Sequence, residues 1–171
     1  AKPVFNFKGG VTTRAEQGLS FSELAPRSSK SPFFTYTYTF ILYLDDASSA
    51  TIQFTYWKVY NLSRYGLLFS FIDKGERQYL QKPIFESSQF RFLPDPPELR
   101  LGKNFFRYSP PEVRLRLELP ADGASPAMKA DLLMEMRTPG WRPGQGPVHY
   151  GSPDGDWYDL VVPVPWAEVS G

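Results

Sequence analysis

The sequence predicts an all-β protein of antiparallel strands that curl into a closed or nearly closed barrel. Aromatic and apolar residues alternate with polar residues over most of residues 32–92, and a period of two is typical of strands. Aromatic residues make up 16% of the chain, too many to leave in water. Turn-forming Gly, Pro and Asp residues separate the alternating segments. A barrel would enclose the rings and remove the edges through which such strands aggregate.

The whole chain has 171 residues, enough for one domain with a real core, and we take 1–171 as a single domain. Its first half contains the clearest strands. Residues 1–30 are predicted to be an N-terminal strand (Val4–Lys8) followed by a loop. Residues 33–44 place aromatic and leucine side chains on one face and threonines on the other. Residues 45–49 turn the chain, and residues 50–60 return it as the next strand.

A hairpin is predicted next, with Asp73–Glu76 as its turn and strands at 65–72 and 77–83. Two proline-rich breaks, at 93–99 and 108–113, separate short strands.

The second half of the chain is predicted from alternation and turn residues. Residues 112–119 alternate without exception between charged residues and Val or Leu, which predicts a strand with one buried face. Residues 127–137 have a composition that suits a helix but alternate like a strand, and we choose strand. Residues 137–159 are rich in Gly and Pro and are predicted to form a long loop, a feature often linked to function. A final strand is predicted at 160–169.

Composition excludes several function classes. The net charge of +1 predicts no overall attraction to nucleic acid or to anionic membranes. The absence of Cys excludes disulfides, thiolate nucleophiles and Cys-ligated metal sites. No apolar run approaches the roughly 20 residues of a transmembrane helix, and the first residues lack the pattern of a signal peptide. We expect a soluble protein without a cofactor; the compartment stays open, with the cytoplasm slightly favoured.

The polar residues point to no catalytic or metal site, so catalytic residues remain unknown. His149, the single histidine, could act as a general acid or base, but a packing role in its loop is more common. No second His or Cys is available for a transition-metal site. Asp154, Asp156 and Asp159 do not have the spacing of a calcium-binding loop and fit ordinary turns.

The aromatic faces are the strongest functional feature. Threonine and glutamine on the reverse faces imply that one side of the sheet is apolar and the other wet, as a ligand-holding barrel requires. Tyrosines add hydroxyls that can orient a ligand oxygen. Trp141 lies in the long loop that could cover one mouth of the barrel. The predicted ligand-binding residues are Tyr36, Tyr38, Phe40, Phe54, Tyr56, Phe69, Phe71 and Trp141.

Two segments resemble a known family. These are LYLDDASSATIQFTYW (42–57) and the closing MRTPGWRPGQGPVHYGSPDGDWYDLVVPVPWAEVSG (136–171). They resemble the first barrel of the AttH-like superfamily, which includes carotenoid hydratases (hydroxyneurosporene synthases), survival-factor proteins and Diels–Alderases. The resemblance covers roughly residues 33–171 and implies a lipocalin-like, calycin-type β-barrel. Members usually carry two tandem barrels, so this chain is either a single-barrel relative or one half of such a protein.

The resemblance and the aromatic faces together give two function hypotheses. In the first, the barrel holds an elongated hydrophobic molecule such as an isoprenoid, lipid or polyketide. In the second, the same pocket is that of a cofactor-independent cyclase, Diels–Alderase or hydratase, which acts mainly by holding reacting atoms close. A third reading is a structural half-domain that docks a partner. Trp166, on the final strand, is predicted to lie under a second copy of the chain or a second barrel, or to cap its own barrel.

Overall fold

The computed structural model describes residues 15–17, 24–26, 29–123, 125–143, 148–149, 157–158, 164 and 166–171. Within these ranges the chain is all-β, and every strand pair is antiparallel, which confirms the predicted fold class at that level. A 3-10 turn lies at Ser87–Gln89. The strands are β1 (Ala15–Gln17), β2 (Phe33–Tyr43), β3 (Ser49–Val59), β4 (Leu62–Asp73), β5 (Arg77–Gln81), β6 (Ile84–Phe85), β7 (Phe90–Pro94), β8 (Pro97–Leu101), β9 (Asn104–Ser109), β10 (Glu112–Leu119), β11 (Met128–Met136), β12 (Trp141–Pro143), β13 (Val148–His149), β14 (Trp157–Tyr158) and β15 (Ala167–Ser170).

The first sheet has the order β2-β3-β4-β5, and β6 pairs with β4. Along β2 the aromatic residues at even positions (Phe34, Tyr36, Tyr38 and Phe40) turn inward and the threonines outward, as the alternation predicted. The predicted hairpin is confirmed: Lys74 and Gly75 both have positive φ, and the Glu76 amide donates to the Asp73 carbonyl at 2.8 Å. Three residues, Lys74–Glu76, separate the paired Asp73 and Arg77, and glycine takes the positive φ at the second of them without a steric cost.

The second sheet has the order β15-β11-β10-β9-β8-β7. The proline-rich breaks separate short strands as predicted, because Asp95–Pro96 lies between β7 and β8 and Pro110–Pro111 between β9 and β10. Residues 128–136 form a strand, which confirms the choice of strand over helix. Alternation decided this segment because β10 and β15 pair with its two edges and its apolar face packs on the core.

The two sheets pack face to face around an aromatic core. Phe106 of the second sheet lies 4.7 Å from Tyr38, 5.3 Å from Phe40 and 5.3 Å from Phe54 of the first sheet, between ring centroids. Ile52 and Leu115, one from each sheet, are completely buried. Among the described residues no strand pairing joins the two larger sheets, so these strands form two packed sheets and a closed barrel is not seen there.

Three predictions concern the ends of the chain. The predicted strand Val4–Lys8 lies outside the described residues. The predicted loop at 137–159 contains short strands: β12 pairs with β1, and β13 pairs with β14. These strands have two or three residues, too few for an alternation signal. The described part of the final strand is β15, which ends one residue later than predicted and pairs with β11.

Trp166 precedes β15 at the edge of the second sheet. Its side chain is 64% exposed in the single chain, and its carbonyl accepts a hydrogen bond from the Arg137 amide at 2.9 Å. The indole therefore does not cap the interior between the sheets.

Candidate functional site

A cavity of about 240 Å³ lies between the two sheets. The first sheet contributes side chains from β2, β3 and β4, and the second sheet contributes side chains from β7 and β8. Pro26, from the segment that precedes β2, lines it as well. The lining residues are Pro26, Tyr36, Tyr38, Phe54, Thr55, Tyr56, Tyr65, Phe90, Leu99 and Leu101.

Strand register explains why aromatic rings meet at this end of the sheets. Tyr56 of β3 is directly opposite Tyr36 of β2 and Tyr65 of β4, so the three tyrosines share the inner face. The Tyr65 ring stacks on Phe90 of the second sheet, with a centroid distance of 4.2 Å and an angle of 12° between the planes. Tyr56 lies 5.1 Å from Tyr65. The result is an aromatic wall that extends across both sheets.

Two tyrosine hydroxyls hold a chain segment beside the cavity. The Tyr38 hydroxyl donates to the Leu24 carbonyl at 2.5 Å, and the Tyr36 hydroxyl donates to the Ala25 carbonyl at 3.4 Å. Leu24 is buried in the core, and Pro26 lines the cavity. Residues 24–26 therefore form a strap, anchored by two hydrogen bonds and one apolar side chain.

The electrostatics of the cavity favour a neutral ligand. Among the lining residues that the structure describes, none carries a charge at neutral pH. Burial, and next the neighbouring Tyr56, raise the pKa of Tyr65, so its hydroxyl stays protonated under physiological conditions. The Tyr56 hydroxyl lies 3.1 Å from the Ser63 Oγ. Neutral hydroxyls can orient a ligand oxygen but give a charged ligand no counter-ion.

The predicted ligand-binding residues fall into three groups. Tyr36, Tyr38, Phe54 and Tyr56 lie together on the cavity. The prediction for Trp141 concerns a side chain that lies outside the described part of the chain.

The remaining three predicted rings belong to the core or its margin and do not line the cavity. Phe40 packs on Phe106, and Phe69 is buried in the core. Phe71 stacks on Tyr79 at 6.3 Å, further along the same face. They share the alternation of the lining residues, but the second sheet fills the space in front of them.

Sequence reasoning missed several lining residues, chiefly Tyr65 and Phe90. Tyr65 could have been found, because it begins a predicted strand and an antiparallel pairing through the turn at 60–61 sets it opposite Tyr56. Phe90, Leu99 and Leu101 gave no such signal, because the packing of the second sheet on the first determines their place.

Candidate acids lie away from the cavity. Asp131 and Glu135 are both exposed on the outer face of β11. The hydrogen bond from Arg114 lowers the pKa of Asp131, which makes it a poor proton donor near neutral pH. The side chain of His149 is not among those described.

Comparison of the chain with protein-family models, with characterised proteins and with solved structures found no match. The resemblance to the AttH-like superfamily therefore stays a prediction. Within the described ranges, no helix combines the length and the apolar character needed to cross a membrane.

Proposed function

We propose that the protein binds a neutral hydrophobic small molecule in the cavity between its two sheets, and that the fold is a lipocalin-like barrel built for this purpose. The observation that carries the proposal is the aromatic lining of the cavity, which both sheets contribute and which is uncharged over its described residues. Apolar burial, at about 25 cal/mol per Å², would supply most of the affinity. The tyrosine hydroxyls would set the orientation of the ligand.

The size of the cavity limits how an elongated ligand binds. Its volume of about 240 Å³ lies just below the range of about 300–1,000 Å³ that drug-sized ligands occupy. One end of an isoprenoid, lipid or polyketide chain fits this space, and the rest needs a path past the strap at residues 24–26. Displacement of the strap would open that path; it would break the two tyrosine hydrogen bonds and withdraw the Leu24 side chain from the core.

A probe of the cavity tests the proposal. Binding of the neutral dye N-phenyl-1-naphthylamine, followed by its fluorescence, would be compared in Leu99→Phe and Leu117→Phe. Both leucines are buried on the inner face of the second sheet, but only Leu99 lines the cavity. Both variants overpack their site, so thermal unfolding controls for stability. A loss of dye affinity in Leu99→Phe alone supports the proposal. An equal effect in both variants, or no dye binding to the wild type, counts against it.

No observation favours the catalytic alternative of a cyclase, Diels–Alderase or hydratase. Within the described part of the chain, the cavity lining contains no carboxylic acid that could protonate an alkene. Catalysis by shape alone needs no such group. Incubation with polyene substrates followed by product analysis separates turnover from simple binding.

We also propose that Trp166 contacts a partner, either a second copy of this chain or a second barrel. An indole that is 64% exposed leaves apolar surface in water, and Val169 in the following strand is 36% exposed. Burial of a large apolar side chain is worth about 2–3 kcal/mol, which favours association.

A further inference from the structure

The outer face of the second sheet gathers arginines from four consecutive strands. Residues directly opposite each other in the ladder share a face. Arg91 is opposite Arg100, Arg107 is opposite Arg114, and Phe105 lies between Arg100 and Arg116. We call this set the arginine face; it consists of Arg91, Arg100, Arg107, Arg114 and Arg116.

Few opposite charges lie among these arginines. Glu98 is opposite Arg107, and Asp131 is opposite Arg116. The facing residues form two rows across the sheet, Arg91–Arg100–Phe105–Arg116–Asp131 and Leu93–Glu98–Arg107–Arg114. Together the two rows carry five positive and two negative side chains, a net charge of +3. Two arginine pairs face each other directly, an arrangement that destabilises a sheet and that a bound anion would relieve. A row that contains Glu112 and Glu135 bounds the basic area on one side.

A buried carboxylate fixes the centre of the face. Glu98 has no exposed side-chain surface and forms ion pairs with both Arg100 and Arg107. The Arg100 guanidinium also lies over the Phe105 ring, 4.7 Å from its centroid. The Arg100 side chain is 37% exposed and that of Arg107 is 44% exposed, so both reach solvent from a fixed position. Guanidinium groups held in this way can bind phosphate with little further loss of entropy.

The margins of the face offer uncommitted charges. Arg91 and Arg116 are exposed, and no carboxylate of the described residues lies within ion-pair distance of either. Leu93, beside Glu98 on the same face, is 47% exposed. From β7 to β10 the face extends for about 14 Å, and its two rows lie about 7 Å apart.

We propose that the arginine face docks the protein on an anionic lipid bilayer. A bilayer presents phosphates over an area, and the arginines are likewise spread over four strands and two rows, not along one line. The net charge of +1 for the chain predicts no such attraction, but the charge is concentrated here. The choice of a bilayer over another polyanion rests on the proposed function, because an apolar ligand resides in membranes. The same strands β7 and β8 line the cavity with their inner faces.

Vesicle sedimentation of the full chain tests the proposal. Mixed phosphatidylserine–phosphatidylcholine vesicles are compared with pure phosphatidylcholine vesicles, at low and at high salt. The variant Arg91→Gln/Arg116→Gln removes two charges from the face and is expected to lower partitioning about thirtyfold. The variant Lys74→Gln/Lys82→Gln removes the same charge from exposed positions in the connections of the first sheet and serves as the matched control.

The proposal is supported if the protein binds the mixed vesicles, if high salt and the arginine variant weaken this binding, and if the lysine variant retains it. Equal binding to both kinds of vesicle, equal loss in both variants, or tighter binding to a single-stranded oligonucleotide than to vesicles overturns it. The neutral dye is titrated into the same proteins without lipid. If the dye does not bind but the vesicles do, the ligand-binding proposal is refuted and the membrane-docking proposal stands. If the dye binds but the vesicles do not, only the membrane-docking proposal is refuted.

Discussion

Replacement of Glu98 by glutamine tests whether the buried ion-pair cluster stabilises the second sheet. The substitution keeps the shape of the side chain but removes the negative charge between Arg100 and Arg107. Removing one partner of a fully buried pair costs about 3–5 kcal/mol. Both arginines are partly exposed and can recover some hydration, so we expect a loss of about 2–3 kcal/mol in the free energy of unfolding. For a domain of this size, that loss lowers the melting temperature by about 5–10 °C.

Urea unfolding followed by Trp fluorescence measures this loss as a lower unfolding midpoint. The dependence of the unfolding free energy on urea concentration should stay the same, because both proteins expose the same surface on unfolding. Glu118→Gln is the matched control, because Glu118 lies on the same face and pairs with Lys103, whose side chain is 77% exposed. We expect the unfolding midpoint of the control to match that of the wild type. A Glu98→Gln midpoint equal to that of Glu118→Gln would show that the two arginines are solvated well enough without their carboxylate.

Three further predictions follow from single contacts. Gly66→Ala should destabilise the protein by about 1–2 kcal/mol, because the added Cβ would lie 2.6 Å from the Trp57 ring. In a Trp57→Leu background, chemical denaturation should show no such loss. Arg114→Gln should raise the pKa of Asp131, measured by NMR titration, because the arginine hydrogen bond holds that pKa below its ordinary value. The stability from this pair is therefore present above the ordinary pKa and lost as the pH falls through the lowered one, and an unshifted titration would contradict the pairing. Trp166→Ala should weaken any dimer seen by light scattering at micromolar concentration, whereas a wild-type monomer would argue against self-association.

Local sequence pattern identified the strands because a strand buries every second side chain. Residues 112–119 illustrate this, since Val113 and Leu115 are buried while Arg114 and Arg116 are exposed. The same rule identified residues 128–136 as a strand against their helical composition. Segments of two or three residues, such as β13 and β14, are too short for this signal.

The pattern could not determine which inward rings line a cavity. Tyr38 and Phe40 are two residues apart on one face of β2, but only Tyr38 lines the open space. Both rings contact Phe106, so the difference arises from where the second sheet stops filling the interior. That boundary depends on the packing of two sheets, which no single strand encodes.

The all-β class and the inner and outer faces of the longer strands could be predicted from the sequence alone. Which residues gather into sites depends on how the strands pair and how the two sheets pack. Arg91, Arg100 and Arg107 lie on three successive strands, and a shift of the register by one residue would turn each to the other face. Periodicity is a property of neighbouring residues, whereas the cavity and the arginine face arise from contacts between strands that the chain brings together only when it folds.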